Sequence, residues 1–281
     1  GENGATTITS DDKGHAVSIA IPYGTYVVVE SKTPHNMKTI KPFEVKISEN
    51  HPDKPQTWRV FLDREFTAKL RVIKKDSDTK QTVLVPNAEF KIFNIDKNEY
   101  VKQYTTYPSK VEHTSFFTDE DGDLILPEAL KIGNYRIEEV SAPYGYVVND
   151  KYVNISVDTD TAFETDGDTN DAIITVEYSD APAVGELTVE KKGEVLDGFK
   201  GGFLASSYEK EFVYKEGSLA GAKFKVYAAE DIYTADNQKD ADGNRIKYYS
   251  KGDLVTTLTT GKDGKATAKN LPLGQYRVVE G

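Results

Sequence analysis

Three ionisable residues fall on the apolar faces of strand-like segments, and their types are those needed to form a bond. Side chains alternate between the two faces of a strand. In AKLRVIKKDSDT (68–79), Leu70, Val72 and Lys74 share one face, opposite Arg71, Ile73 and Lys75. In GNYRIEEVS (133–141) the matching set is Tyr135, Ile137 and Glu139, and in ITVEYSD (174–180) it is Val176, Tyr178 and Asp180. One Lys, one Glu and one Asp are thus aimed inward, although burying unpaired charge costs several kcal/mol. Desolvation favours a neutral amine and a protonated acid. A neutral amine held against an Asp carboxyl is a positioned nucleophile, and a protonated Glu beside them can polarise the carbonyl and relay protons. The product would be a Lys–Asp amide, formed once with loss of water. Two blander readings fit the same parity: polar groups at strand ends that turn back to water, and a buried ion-pair network without chemistry.

The elements that carry these residues recur. A turn closed by Gly, an apolar strand, Gly-x-Tyr and a final Glu occur in DDKGHAVSIAIPYGTYVVVE (11–30), DEDGDLILPEALKIGNYRIEE (119–139) and GKDGKATAKNLPLGQYRVVE (261–280). The turn Gly and the Glu are 16, 17 and 16 residues apart (Gly14–Glu30, Gly122–Glu139, Gly264–Glu280), a spacing that means tandem domains. Parity turns Glu30 inward with Tyr26 and Val28, and Glu280 with Tyr276 and Val278. A Lys-ended strand precedes the pattern twice, in 68–79 and in GELTVEKKGEVL (185–196), where Leu187, Val189 and Lys191 share a face. Each is followed by an Ala-x-Phe strand, VPNAEFKIFN (85–94) or LAGAKFKVYA (219–228). Strands TWRVFLD (57–63) and ITVEYSD each end in an Asp 11 residues before the next Lys (Asp63 to Lys74, Asp180 to Lys191).

The expected division is therefore residues 1–66 as the C-terminal part of one domain, 67–182 as a complete domain, and 183–281 as a domain lacking its last strand. Both ends read as cuts through a longer protein. The short linkers predict neighbouring domains set end to end in an elongated rod.

Bulk composition supports an all-β class: 17 Tyr and 12 Phe accompany frequent Thr and Val, without long 3.6-period apolar stretches. A net charge of -11 argues against nucleic acid or an anionic membrane as partner. No apolar run approaches the roughly 20 residues needed to span a bilayer. The absence of cysteine excludes disulfides and thiolate metal sites. The four His are scattered, no metal or cofactor is expected, and a turnover enzyme finds no support.

The motifs KKDSDT, VPNAEFKIF, GNYRIEEVSAPYGY and VEYSDAP, with the Asp-Gly turn, resemble the B-type repeat of Gram-positive collagen adhesins and pilins (Cna-B, a prealbumin-like β-sandwich). In that family a Lys on the first strand joins an Asn or Asp on the last, promoted by a Glu on the strand after Gly-x-Tyr. The resemblance implies Lys74 as amine, Asp180 as acyl partner and Glu139 as proton shuttle. It gives Lys191 and Glu280, and Glu30 and Asp63, the same roles in incomplete centres. The middle unit lacks the Pro of the family's Leu-Pro-x-Gly-x-Tyr turn, and in 57–63 the more apolar parity is Trp58, Val60 and Leu62, which sets Asp63 on the opposite face.

The resemblance further implies a stalk or pilin-like module at the bacterial surface, extracellular and attached to the cell wall. Its partners would be neighbouring domains of the same chain, with other pilin subunits or a host ligand beyond them. The alternative is an adhesin whose own domains bind a host protein or glycan. Its best binding loop is the Gly- and aromatic-rich insert 196–218, where a broad exposed aromatic patch would favour the adhesin and a covered insert the stalk. The acidic stretches 158–171 and 234–244 lack EF-hand spacing and read as solvated hairpin loops. Tyr107-Pro108-Ser109-Lys110 faintly resembles a pilin-linkage lysine motif but lies mid-domain.

Overall fold

The computed structural model describes residues 6–48, 62–204 and 207–281, and every regular element among them is a β-strand. The middle unit is built from two facing sheets. One runs Phe116–Phe117, Glu89–Asn94, Gly133–Ser141, Val153–Val157; the other runs Asp123–Ile125, Thr67–Asp76, Ala172–Pro182, Tyr146–Val147. In Thr67–Asp76 burial alternates strictly, with Ala68, Leu70, Val72, Lys74 and Asp76 inside. Leu70, Val72, Phe90, Ile92, Ile137 and Tyr178 fill the space between the sheets. Each fully buried large apolar side chain contributes about 1.5–3 kcal/mol, so this core can hold a few polar groups.

The pairing of Thr67–Asp76 with Ala172–Pro182 is parallel, from Ala172 opposite Ala68 to Asp180 opposite Asp76. Tyr178 therefore faces Lys74 across the ladder, and Asp180 lies one diagonal step further on. In the other sheet Glu139 pairs with Phe90, and a register shift follows between Glu139 and Ser141.

The flanking units bury less. In the third, Lys223–Ala228 lies between Leu254–Thr259 and Tyr276–Glu280, while Val184–Glu190 pairs, among the described residues, only with Lys265–Pro272; its buried core is Val226, Leu258, Ala268 and Leu271. In the first, Gly24–Val28 pairs with Phe43–Ile47, and Val17, Ile19, Val27 and Val29 stay exposed. The expected strand 57–63 lies outside the described residues up to position 61. Leu62 and Asp63 are exposed and unpaired in any strand, just ahead of the short strand Arg64–Glu65.

Direct contacts join the units. Asn36 donates from its backbone to Thr159 Oγ1 (3.1 Å) and accepts from the Thr159 N–H (3.2 Å). Between the middle and third units, Thr79 Oγ1 donates to Asp236 Oδ2 (3.1 Å), Gln238 Nε2 to the Thr82 carbonyl (2.8 Å), and the Leu84 N–H to the Asp236 carbonyl (2.8 Å). Thr234 and Asp236 are buried. This corrects the reading of 234–244 as a solvated loop. Its first residues dock on the middle unit, and the Asp236 carboxyl is matched by Thr79, Thr234 and the Gln238 N–H.

The repeated turn has a consistent build. Asp119 Oδ1 accepts the N–H groups of Asp121 and Asp123, and Asp11 Oδ1 those of Lys13 and His15. Gly122 has φ +71°, and a Cβ added there would lie 2.2 Å from the Val83 carbonyl oxygen. Gly14, at φ +79°, has nothing within 4 Å. Gly122→Ala is expected to destabilise the middle unit by about 3 kcal/mol, combining left-handed strain with a backbone clash. Gly14→Ala should leave the middle unit's calorimetric transition in place.

Candidate functional site

Lys74, Glu139 and Asp180 meet at the end of the middle core. Lys74 Nζ is 2.5 Å from Glu139 Oε1 and 2.5 Å from Asp180 Oδ1, and all three side chains are completely shielded from solvent. The amine also lies 4.7 Å from the centre of the Tyr178 ring and 5.5 Å from that of Phe90. Those two rings meet edge to face at 5.1 Å. The aromatic wall keeps water out, and the exclusion strengthens every charge interaction inside.

The two carboxyl groups are held differently. Glu139 accepts from Lys74 on Oε1 and from the Asn149 N–H on Oε2 (2.9 Å). Neither Asp180 oxygen has an aligned hydrogen-bond partner, although Lys74 Nζ is close: the approach is short but out of line. Burial pushes the Asp180 carboxyl up to about 7, against the pull of Lys74, and the nearby Glu139 charge adds to the rise. Tyr178 is pushed up to about 12, chiefly by burial. A nearly unsolvated carboxylic acid beside an amine is the arrangement from which an amide can form.

The repeated turn reaches this site through the backbone. The Lys74 N–H donates to the Gly122 carbonyl at 2.9 Å, and the Lys191 N–H to the Gly264 carbonyl at 2.8 Å. Sequence reading treated these glycines as turn residues and missed that they also anchor the lysines. Asp76 was missed as well. It is fully buried two residues beyond Lys74, with Oδ1 accepting the N–H groups of Asp78 and Thr79 and Oδ2 accepting the Tyr146 hydroxyl at 2.7 Å. Burial, then that carboxylate, raises Tyr146 far above the ordinary phenol range. The strict alternation through Asp76 was the available signal.

The other expected centres are only partly assembled. Lys191 Nζ lies 2.9 Å from Glu280 Oε2, but these side chains are 34% and 48% exposed, and among the described residues no Asp joins them. Glu30 accepts the Ile40 N–H on Oε2 at 3.0 Å, with Asp63 exposed elsewhere. Among the described residues no cluster of His, Asp or Glu could hold a metal ion, and Asp158 and Asp166 cap their own turns. Tyr107–Lys110 form the tip of the hairpin Gln103–Thr105/Val111–His113, with Lys110 against the Tyr104 ring.

The insert stands as a hairpin, Lys192–Leu204 with Ser207–Ser218, and neither strand pairs with a third among the described residues. Leu196 lies opposite Tyr214, and Phe199 opposite Phe212. A register shift between Leu196 and Gly198 brings Phe199 onto the face of Leu196, three residues along. All four are at least half exposed.

With the fold in view, the chain can be set beside known proteins. The profile of the SpaA prealbumin-like fold domain matches residues 2–59, 68–172 and 209–281. The chain belongs to this family. It is all-β, with the prealbumin-like domains in tandem. A search of curated proteins finds no match. Among solved structures it is similar to the Bacillus anthracis TIE protein, at 24% identity and TM-score 0.44 over 100% of this chain and 40% of that one. It is also similar to the pilus 2b backbone protein of group B streptococcus, at 18% identity and TM-score 0.33 over 55% of this chain and 52% of that one. BcpA, the major pilin subunit of Bacillus cereus, is matched at 13% identity and TM-score 0.30, over 76% of this chain and 87% of that one. The chain thus spans about two-fifths of the first of these and about half of the second.

While Lys74 and Asp180 remain unjoined, folding takes up a proton between the ordinary carboxylate value, about 4, and about 7. This contribution to stability is complete below about 4 and is lost as pH rises toward 7. Carboxyl NMR should show an Asp180 midpoint near 7; a midpoint near 4, the ordinary carboxylate value, would remove this contribution.

Proposed function

We propose that the chain is a structural, pilin-like stalk segment of a Gram-positive surface protein, exposed outside the cell, whose middle domain locks itself with a Lys74–Asp180 amide. The observation that carries this reading is one amine 2.5 Å from two carboxyl groups, all three fully buried. The Lys74 nitrogen, as a neutral amine, attacks Asp180 Cγ. Protonated Glu139 gives a proton to the departing hydroxyl and takes one from the nitrogen, so a C–N bond replaces a C–O bond and one water leaves. Glu139 ends as it began, and the reaction runs once. The unit boundaries 1–66, 67–182 and 183–281 belong to the same proposal, with only the middle unit holding a complete centre. Neighbouring domains of a longer chain, and other subunits of a polymer, are the partners it implies.

The amide would close a loop of about a hundred residues, worth on the order of 4–5 kcal/mol by analogy with disulfide loop entropy. It would resist reduction, and it would carry tension from the first strand to the last. Intact-mass spectrometry is expected to show the chain lighter by one water, about 18 Da, and Lys74→Ala, Asp180→Ala and Glu139→Ala at full mass. A full-mass, well-folded wild-type chain would leave the cluster as a buried ion-pair network.

The exposed aromatic face of the hairpin favours a second reading, direct adhesion to a host protein or glycan. Apolar patches of this kind mark interaction sites. Beads coated with the chain should then adhere to host-cell monolayers, and Phe199→Ser/Phe212→Ser/Tyr214→Ser should abolish adherence without altering the 18 Da loss. Equal adherence by that variant excludes the hairpin as the adhesive surface.

A further inference from the structure

Apart from the 2.5 Å approach of Oδ1 to Lys74 Nζ, the amine it faces, the Asp180 carboxyl has no hydrogen bond that aims it. Its direction is set by the backbone on both sides. The Ser77 N–H donates to the Asp180 carbonyl at 2.7 Å, and the Asn149 side-chain Nδ2 donates to the Ser179 carbonyl at 2.8 Å. The same Asn149 gives its backbone N–H to Glu139 Oε2 at 2.9 Å. One residue therefore touches both the promoting carboxylate and the strand that presents the acyl group.

Asn149 is itself fixed. Its Oδ1 accepts the Lys151 N–H (3.1 Å), which orients the amide so that Nδ2 faces Ser179. The Tyr178 hydroxyl donates to the Lys151 carbonyl (2.5 Å) and the Asn149 carbonyl (3.1 Å). The first unit shows which part of this is generic. Glu30 Oε2 is held by the N–H of Ile40, ten residues on, the same separation as Glu139 and Asn149. Ile40 has no side-chain donor, so the bridge to the acyl strand distinguishes Asn149.

We infer that Asn149 is a positioning residue for amide formation: its backbone N–H turns one Glu139 oxygen toward Lys74, and its side-chain amide holds Asp180 in the line of attack. This rests on the crosslinking reading above. Small displacements of reacting groups cost large factors in rate.

The test follows water loss over time by intact mass, in the full chain made by cell-free translation across a range of pH. Asn149→Ala removes the bridge, and Asn149→Asp keeps the shape while setting an acceptor against the Ser179 carbonyl. Both are expected to slow water loss by about tenfold or more and to move the alkaline limb of the rate profile to lower pH, as a loosened Asp180 meets water. Each substitution is repeated in Lys74→Ala, where no amide can form, so that melting temperature reports the purely structural effect. Wild-type rates and profiles in both variants overturn the inference and leave the crosslink standing. So does slowing that matches the lost stability with an unchanged profile. A wild-type chain that never loses water overturns the crosslinking reading and this inference with it.

Discussion

A lysine ammonium or amine sealed inside a β-sandwich has to be answered by neighbours, because water is not there to answer it. In the middle domain that requirement organises the surroundings of Lys74. Glu139 and Asp180 supply the polar response, Phe90 and Tyr178 close the walls, and the Gly122 carbonyl holds the lysine's own backbone. The facing sheets must then be registered so that three residues from three strands arrive at one point. Parallel pairing of the first and last strands does this, since it sets Tyr178 beside Lys74 and leaves Asp180 one diagonal step away. Removing one partner from such a buried cluster leaves charge uncompensated, which costs far more than the pair contributes.

Much of this was legible from alternation alone. The parity of Leu70–Val72–Lys74, Tyr135–Ile137–Glu139 and Val176–Tyr178–Asp180 assigns faces because the period of a strand is two, and the structure brings those three polar side chains into contact. Parity names a face but does not say what covers it. Lys191 and Glu280 share the pattern and pair with one another, yet remain partly open because, among the described residues, Val184–Glu190 pairs with a strand on one side only. Asp63 is itself exposed and outside a strand, just ahead of Arg64–Glu65, so parity has nothing to act on at that residue.

What escaped the sequence was long-range. Asp236 sits in an acidic, turn-rich stretch that looks solvated, and its contacts with Thr79 and Leu84, far away in the sequence, make it a buried joint residue. Asn149 lies beyond a Tyr-Gly-Tyr turn with no periodic signal. Its importance depends on Ser179, thirty residues away. The hairpin was visible as an insert rich in Gly and aromatics, but the shift that gathers Leu196, Phe199, Phe212 and Tyr214 on one face depends on cross-strand register.

The direction of the central ladder matters beyond the site it assembles. The chain enters the middle domain at the start of Thr67–Asp76 and leaves it at the end of Ala172–Pro182, and these strands run the same way. Pulling the ends apart slides the two strands along one another instead of peeling them. The rungs between Ala68 and Asp76 are then loaded in shear, all at once, and none can open ahead of the others as in an unzipping hairpin. Lys74 and Asp180 sit near the exit end of that ladder, so a bond between them would pin the two strands where sliding would otherwise draw them out of register.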